Sequence, residues 1–244
     1  MTRPGLRPTA DVERVLVVTA HPDDVDFGAS ASVAAWTDAG VEVSYCIVTF
    51  GDAGGFDETP RERMPLLREA EQRAAAKVVG VTDVTFLGHP DGRLYVTHEL
   101  RRDITREIRR VRPQRVVTQS PQRNWQRIAP SHPDHLAVGE ATLCAVYPDA
   151  RNPFAHPELL AEEGLEAWSV AEVWLMGGPQ ADHYVDVTDT FHRKLEALRA
   201  HASQTAHMGD GLETMLRTWH GANALTGGLP VGHLAEAYQV LSTA

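Results

Sequence analysis

Two cysteines in 244 residues, Cys46 and Cys144, are too few for a disulfide framework or a thiolate metal site. Both lie within apolar runs, so two buried thiols are expected. No apolar run approaches the roughly 20 residues that a membrane-spanning helix needs. Residues 1–11 lack the apolar core of a signal peptide and read as a loose tail, so a cytoplasmic protein is expected. Positive charge is also short: 23 Lys and Arg against 33 Asp and Glu leave a formal charge of −10. Nucleic-acid and anionic-membrane binding want a basic face, and this balance argues against both. No Gly-rich dinucleotide fingerprint follows the first apolar run, and no nucleophile elbow of a serine hydrolase is present. Repeats, low-complexity segments and clear linkers are missing too, so residues 1–244 are read as one domain.

What is present is an alternation of short apolar runs and helical patterns. Strands are expected at 15–19, 41–50, 84–87, 115–119, 171–176 and 184–187. Helices are expected at 27–39, 60–79, 97–111, 132–147 and 188–201. Periodicity leaves 236–241 undecided between strand and helix. This order predicts an α/β fold, a Rossmann-like three-layer sandwich around a mostly parallel sheet. Trp36, Trp168 and Trp174 are expected in packing, and the arginines at 101, 102, 106, 109 and 110 on a solvated helix face.

Two stretches carry the chemistry. Ala20-His21-Pro22-Asp23-Asp24 follows the first strand, where ligands bind in open α/β sheets. His132-Pro133-Asp134-His135 opens a helix far downstream. Catalytic zinc takes three ligands, mostly His and carboxylate, and keeps a position for water. His21 and Asp24 can aim at one point from the turn that Pro22 stiffens. Asp23, between them, is left free to accept a proton. His132 and His135 share a helix face, so one can ligate while the other meets substrate, and their spacing does not say which. Asp134 can orient a histidine through its ring N–H, and Ser131 reads as the helix N-cap. Taken alone, an Asp pair after a turn is more often a helix cap. Two such motifs, each at a strand exit, shift the balance to a metal site.

These two motifs resemble the signatures of the LmbE-like, or PIG-L, family of zinc-dependent N-deacetylases. The stretches Arg68-Glu69-Ala70-Glu71, Leu87-Gly88-His89-Pro90-Asp91-Gly92 and Tyr184-Val185-Asp186-Val187, with Lys194, His201 and Gln204, are similar as well. The resemblance implies His21, Asp24 and His135 as ligands to zinc, with iron(II) suited to the same donors. It implies Asp23 as general base. His132 would stabilise the oxyanion or protonate the leaving amine, supported by Asp134. Arg68 and Asp91 resemble positions that line a sugar site, although a solvated helix arginine is as good a description of Arg68. Where many members carry Glu after the Asp pair, this chain has Val25-Asp26, which should alter the surroundings of the ligands and not the metal. The implied activity is removal of an acetyl group from an N-acetyl amino sugar or glycoconjugate. An amidase acting on a larger amide is the rival, and a non-catalytic metal protein a remote third. An assembly of several copies is compatible with the extended C-terminal region.

Overall fold

The computed structural model describes residues 11–55 and 59–243, so most of the expected N-terminal tail lies outside the described residues. In chain order the elements are β1 (Arg14–Thr19), α1 (Asp24–Gly28), α2 (Ser30–Asp38), β2 (Glu42–Thr49), α3 (Met64–Val78), β3 (Asp83–His89), α4 (His98–Val111), β4 (Arg115–Gln119) and α5 (Pro133–Cys144). They continue with α6 (Pro157–Ala161), β5 (Glu172–Met176), β6 (His183–Asp186), α7 (Phe191–Ala200), α8 (Ala202–Thr205), α9 (Gly211–Thr226) and β7 (Ala235–Ser242).

Val15, Leu16, Val17 and Val18 are all fully buried, because β1 is covered on both faces. β1 pairs in parallel with β2 and β4, within the order β3-β2-β1-β4-β5-β7-β6. Val15 and Val17 face a core that includes Val33, Trp36, Ala75 and Ala197, supplied by α2, α3 and α7. Leu16 and Val18 face Leu100, Ile104, Ile108, Val138 and Ala141, from α4 and α5. The result is an α/β sandwich of three layers. Successive strands step outward from β1 to β3, then return to the other side of β1 with β4. The crevice at the C-terminal ends of β1 and β4 is therefore the topological switch point.

Several expectations change. The helix expected at 27–39 begins earlier, at Asp24, and breaks at Ala29, where φ is −145°. The break leaves backbone groups that a buried ion pair takes up. Lys194 Nζ donates to Phe27 O at 2.7 Å, while Glu236 accepts from the N–H groups of Ala31 and Ser32 at 3.1 and 2.8 Å. The undecided tail is a strand, β7, antiparallel to both β5 and β6, and β5 puts Trp174 opposite Val240. Helix α9 was not expected, although Leu212, Leu216, His220 and Ala224 recur every fourth residue and are buried. Gly221 and Asn223 weaken that pattern as a helix signal. Finally, the α4 arginines are not all solvated. Arg109 is 2% exposed and donates to the carbonyls of Asp149, Ala150, Asn152 and Ala155, and Arg101 forms a two-pronged pair with Asp149. Cys46 is buried as expected, but Cys144 is only partly so.

Candidate active site

The turn after β1 is held in an unusual backbone state. Asp23 has φ 87° and ψ −24°, a left-handed conformation that costs a residue with a Cβ roughly 1–2 kcal/mol. Asp23 and Pro22 are gripped from α3. Asp23 N donates to Gln72 Oε1 at 2.9 Å, and Arg68 Nη2 donates to Pro22 O at 2.6 Å and to Asp23 Oδ2 at 3.2 Å. Gln72 is itself held, since its Nε2 donates to Asp26 Oδ2 at 2.9 Å. His201 Nε2, just after α7, meets the same oxygen at 2.8 Å. Asp26, part of the Val25-Asp26 stretch that departs from the family pattern, thus sits at the centre of a fully buried brace behind Asp23. Gly51 completes the fit from the loop after β2. Its carbonyl accepts from Arg68 Nη1 at 2.8 Å, and a Cβ there would lie 2.2 Å from that nitrogen.

In front of the brace the structure brings His21, Asp24, His132 and His135 together. Asp24 Oδ2 lies 3.3 Å from His21 Nδ1, and Asp24 Oδ1 lies 3.0 Å from His135 Nε2. The far nitrogen of each imidazole is engaged elsewhere. His21 Nε2 faces Asp91 Oδ1 at 3.1 Å and Asp134 Oδ2 at 3.2 Å, and His135 Nδ1 donates to Pro130 O at 3.1 Å. This is how metal-ligating histidines are usually oriented, with one nitrogen tied to an acceptor and the other presenting its lone pair. Nitrogen atoms of His21, His132 and His135 also lie within 4.8 Å of one another. His132 Nδ1, however, is occupied: it accepts from Asp134 N at 3.2 Å, which places the ring proton on Nε2. The donor set of two tied imidazoles around one carboxylate suits a divalent cation such as zinc.

The protonation pattern says the same. Burial works against charging His21, but Asp24, Asp134 and Asp91 outweigh it and push its pKa up to about 12. Burial would raise Asp24, yet the imidazoles of His135 and His21 hold it well below the usual carboxylate range. A cation seated among them would replace the protons that now join these groups. Asp23 differs: burial pushes it up to about 6, with the Arg68 guanidinium pulling the other way. Burial, and after it the neighbouring His21 and His135, lower His132 and keep it neutral.

The expected residues therefore meet, with changes of detail. The Asp134 carboxylate supports His21 and accepts from Gly92 N and Leu94 N at 2.7 and 3.2 Å; the hydrogen bond from Asp134 to the His132 ring comes from its backbone N–H, not its carboxylate. The N-cap of α5 is His132, not Ser131, whose Oγ instead accepts from Asn124 N at 2.8 Å. Arg68 is 4% exposed, so the solvated description fails. Asp91 is shared between His21 and Ala53 N, at 2.8 Å from the latter. His89 and His183 are engaged away from the cluster, at Asp103 and against Trp174. Trp125 projects to solvent at 84% exposure.

Two residues that hold the candidate site in place were missed. Gln119, at the end of β4, donates to Asp24 Oδ2 at 2.9 Å and accepts from Ala20 N at 3.0 Å, so it ties the strands across the switch point. Its signal was available, as an amide at the C-terminal end of a buried strand. Gln72 had none beyond lying one turn after Arg68. From Asp24 and His135 a cavity of about 470 Å³ runs toward α9, past Met176 to Trp219 and His220.

Residues 16–146 match the family model described as PIG-L, GlcNAc-PI de-N-acetylase. The chain is 32% identical over 198 residues to a diacetylchitobiose deacetylase from Thermococcus kodakarensis, covering 81% of this chain and 72% of that one. It is 32% identical over 211 residues to a probable N-acetyl-alpha-D-glucosaminyl L-malate deacetylase 2 from Bacillus subtilis, covering 84% and 89%. The solved N,N'-diacetylchitobiose deacetylase from Pyrococcus horikoshii superposes with a TM-score of 0.87 at 28% identity, over 96% of this chain and 86% of that one. By its sequence and by its fold, the chain belongs to the PIG-L family of GlcNAc-PI de-N-acetylases.

Proposed function

We propose that this protein hydrolyses the acetamide of an N-acetylglucosamine-containing substrate, releasing acetate and a free amine. The observation that carries this is the placement of Asp24 between His21 Nδ1 and His135 Nε2, with Asp23 beside it on a braced backbone. His21, Asp24 and His135 would hold the metal, zinc first and iron(II) as the other cation suited to these donors. A bound divalent cation supplies Lewis-acid polarisation and makes a water acidic enough to attack near neutral pH.

The chain's own residues do the rest. Asp23 takes a proton from the attacking water and delivers it to the amide nitrogen as the C–N bond breaks. Arg68 keeps the Asp23 carboxylate oriented through its contact at 3.2 Å. His132, with its proton on Nε2, donates to the oxygen on which negative charge develops. Asp134 and Asp91 hold the His21 ring, and Gln119 holds Asp24. Arg68 and Asp91 would border the sugar while keeping these protein partners.

The test is acetate release by zinc-loaded protein from N-acetylglucosamine, N,N'-diacetylchitobiose and the malate and inositol glycosides of N-acetylglucosamine. Turnover that chelation abolishes and metal restores is expected. No acetate from any of them, with metal shown to be bound, would overturn the assignment.

A further inference from the structure

Asp26 and His201 form a buried pair that the proposed reaction does not use. Both side chains are wholly buried, and His201 Nε2 meets Asp26 Oδ2 at 2.8 Å. A pair kept for stability alone would have its remaining polar atoms bonded, because an orphaned one is costly in the interior. Here Asp26 Oδ1 and His201 Nδ1 have no hydrogen-bond partner among the described residues. The onward contact of the Asp26 carboxylate is Gln72 Nε2, 2.9 Å from the oxygen that faces His201.

An amide keeps its shape when turned over, with oxygen and nitrogen exchanged. Gln72 is fully buried, so its neighbours decide which way it points. The Asp26 carboxylate only accepts; it draws the Gln72 NH2 to itself and leaves Oε1 facing the other way. There Oε1 accepts from Asp23 N at 2.9 Å. A reversed amide would set an NH2 against that N–H and remove the bond that holds the left-handed Asp23. The His201 imidazole offsets the cost of burying the Asp26 carboxylate. Its own place is fixed from α3: in the turn that follows it, Ser203 N and Oγ donate to Glu71 Oε1 and Oε2 at 2.8 and 2.6 Å, and Glu71 adjoins Gln72.

We propose that His201 is a positioning residue for the general base, acting through Asp26 and the Gln72 amide on the backbone of Asp23. The inference rests on the role given to Asp23 above. The His201 ring bonds Asp26 and, among the described residues, none of His21, Asp24 and His135. Its effect therefore falls on the rate of the chemical step and not on the metal or on substrate binding.

The experiment measures kcat, KM and bound zinc on whichever substrate named above is cleaved fastest. His201→Phe removes the donor and keeps a ring. Its kcat is expected to fall about 10–100-fold, the effect of a misplacement of about 1 Å, with KM and zinc content unchanged. His201→Gln, whose amide can reach Asp26, is expected to stay within about threefold of the unaltered protein, because the hydrogen bond is kept. Gln72→Met is expected to fall as His201→Phe does, and the double variant no further, since both residues act on one path. An unchanged kcat in His201→Phe, a loss of zinc, a His201→Gln as slow as His201→Phe, or losses that multiply in the double variant would each overturn the proposal. Should His201→Phe not fold, His201→Asn, whose amide is too short to reach Asp26, takes its place in every comparison. If the unaltered protein cleaves no amide, the deacetylase assignment fails by itself. Crystal structures of the unaltered protein and the variant then decide the brace: a broken contact between Asp23 N and Gln72 Oε1 in the variant supports it, and a retained contact refutes it.

Discussion

Asp23 and Asp24 are neighbours with opposite assignments, and their surroundings set them apart. Asp24 faces two imidazoles and is held ionised; Asp23 is buried against a single guanidinium and rises to about 6. Asp23→Asn is expected to leave bound zinc unchanged and lower kcat by roughly 10²–10⁴-fold, the usual worth of a positioned base. Metal content by atomic emission, beside acetate release, checks it, and a near wild-type rate would remove Asp23 as the base. The two histidines of α5 divide in the same way. His135→Ala is expected to lose the metal. His132→Ala is expected to keep it and lose turnover, because His132 Nδ1 already serves the helix N-terminus. If both variants lost metal equally, the three-imidazole cluster would be the true donor set.

At the scale of elements, the break between α1 and α2 depends on residues more than 160 positions away. Lys194 on α7 and Glu236 on β7 are wholly buried and 2.7 Å apart, and between them they satisfy backbone groups of Phe27, Ala31 and Ser32 on either side of Ala29. Removing one partner leaves an uncompensated buried charge. Lys194→Met is expected to destabilise the fold by about 3–5 kcal/mol, and adding Glu236→Gln to recover part of that loss. Urea denaturation of the single and double variants measures both. A loss below about 1 kcal/mol for Lys194→Met would mean that the pair does not hold the break.

At the scale of the molecule, buried histidines make stability depend on pH. His220 is neutral in the fold, its pKa lowered to about 3 from an ordinary 6.5. Between these values the unfolded chain binds a proton that the folded chain refuses, so stability falls as pH drops from about 6.5 toward 3. The slope from this one group approaches 1.4 kcal/mol per pH unit. His201 has the opposite sign. Burial lowers its affinity for a proton, but Asp26 outweighs this and raises its pKa, so its contribution is fully present below 6.5 and is lost as pH rises through the folded value. Urea midpoints between pH 4 and 7 should therefore shift less in His220→Gln than in the unaltered protein. Equal slopes would exclude His220 as a source.

Much of this was legible from local patterns. Strands buried on both faces read as short Val-rich apolar runs, and chemistry at the exit of β1 follows from short-range geometry, so the sheet and the two His-Asp motifs could be read directly. What stayed hidden depends on partners distant in the chain. Arg68 and Arg109 look solvated on their helices, because nothing nearby announces the carbonyls that bury them. Gly28 gives only a weak breaker signal before Ala29, and the Lys194–Glu236 pair that takes up the freed backbone groups is far away in the chain. The left-handed state of Asp23 and the separate hydrogen-bond partners of His132 and His135 also follow only from packing. Residue types and spacing determined which chemistry this chain carries. Tertiary structure alone decided which nitrogen of each histidine is free, because that depends on the acceptor at the ring's other side.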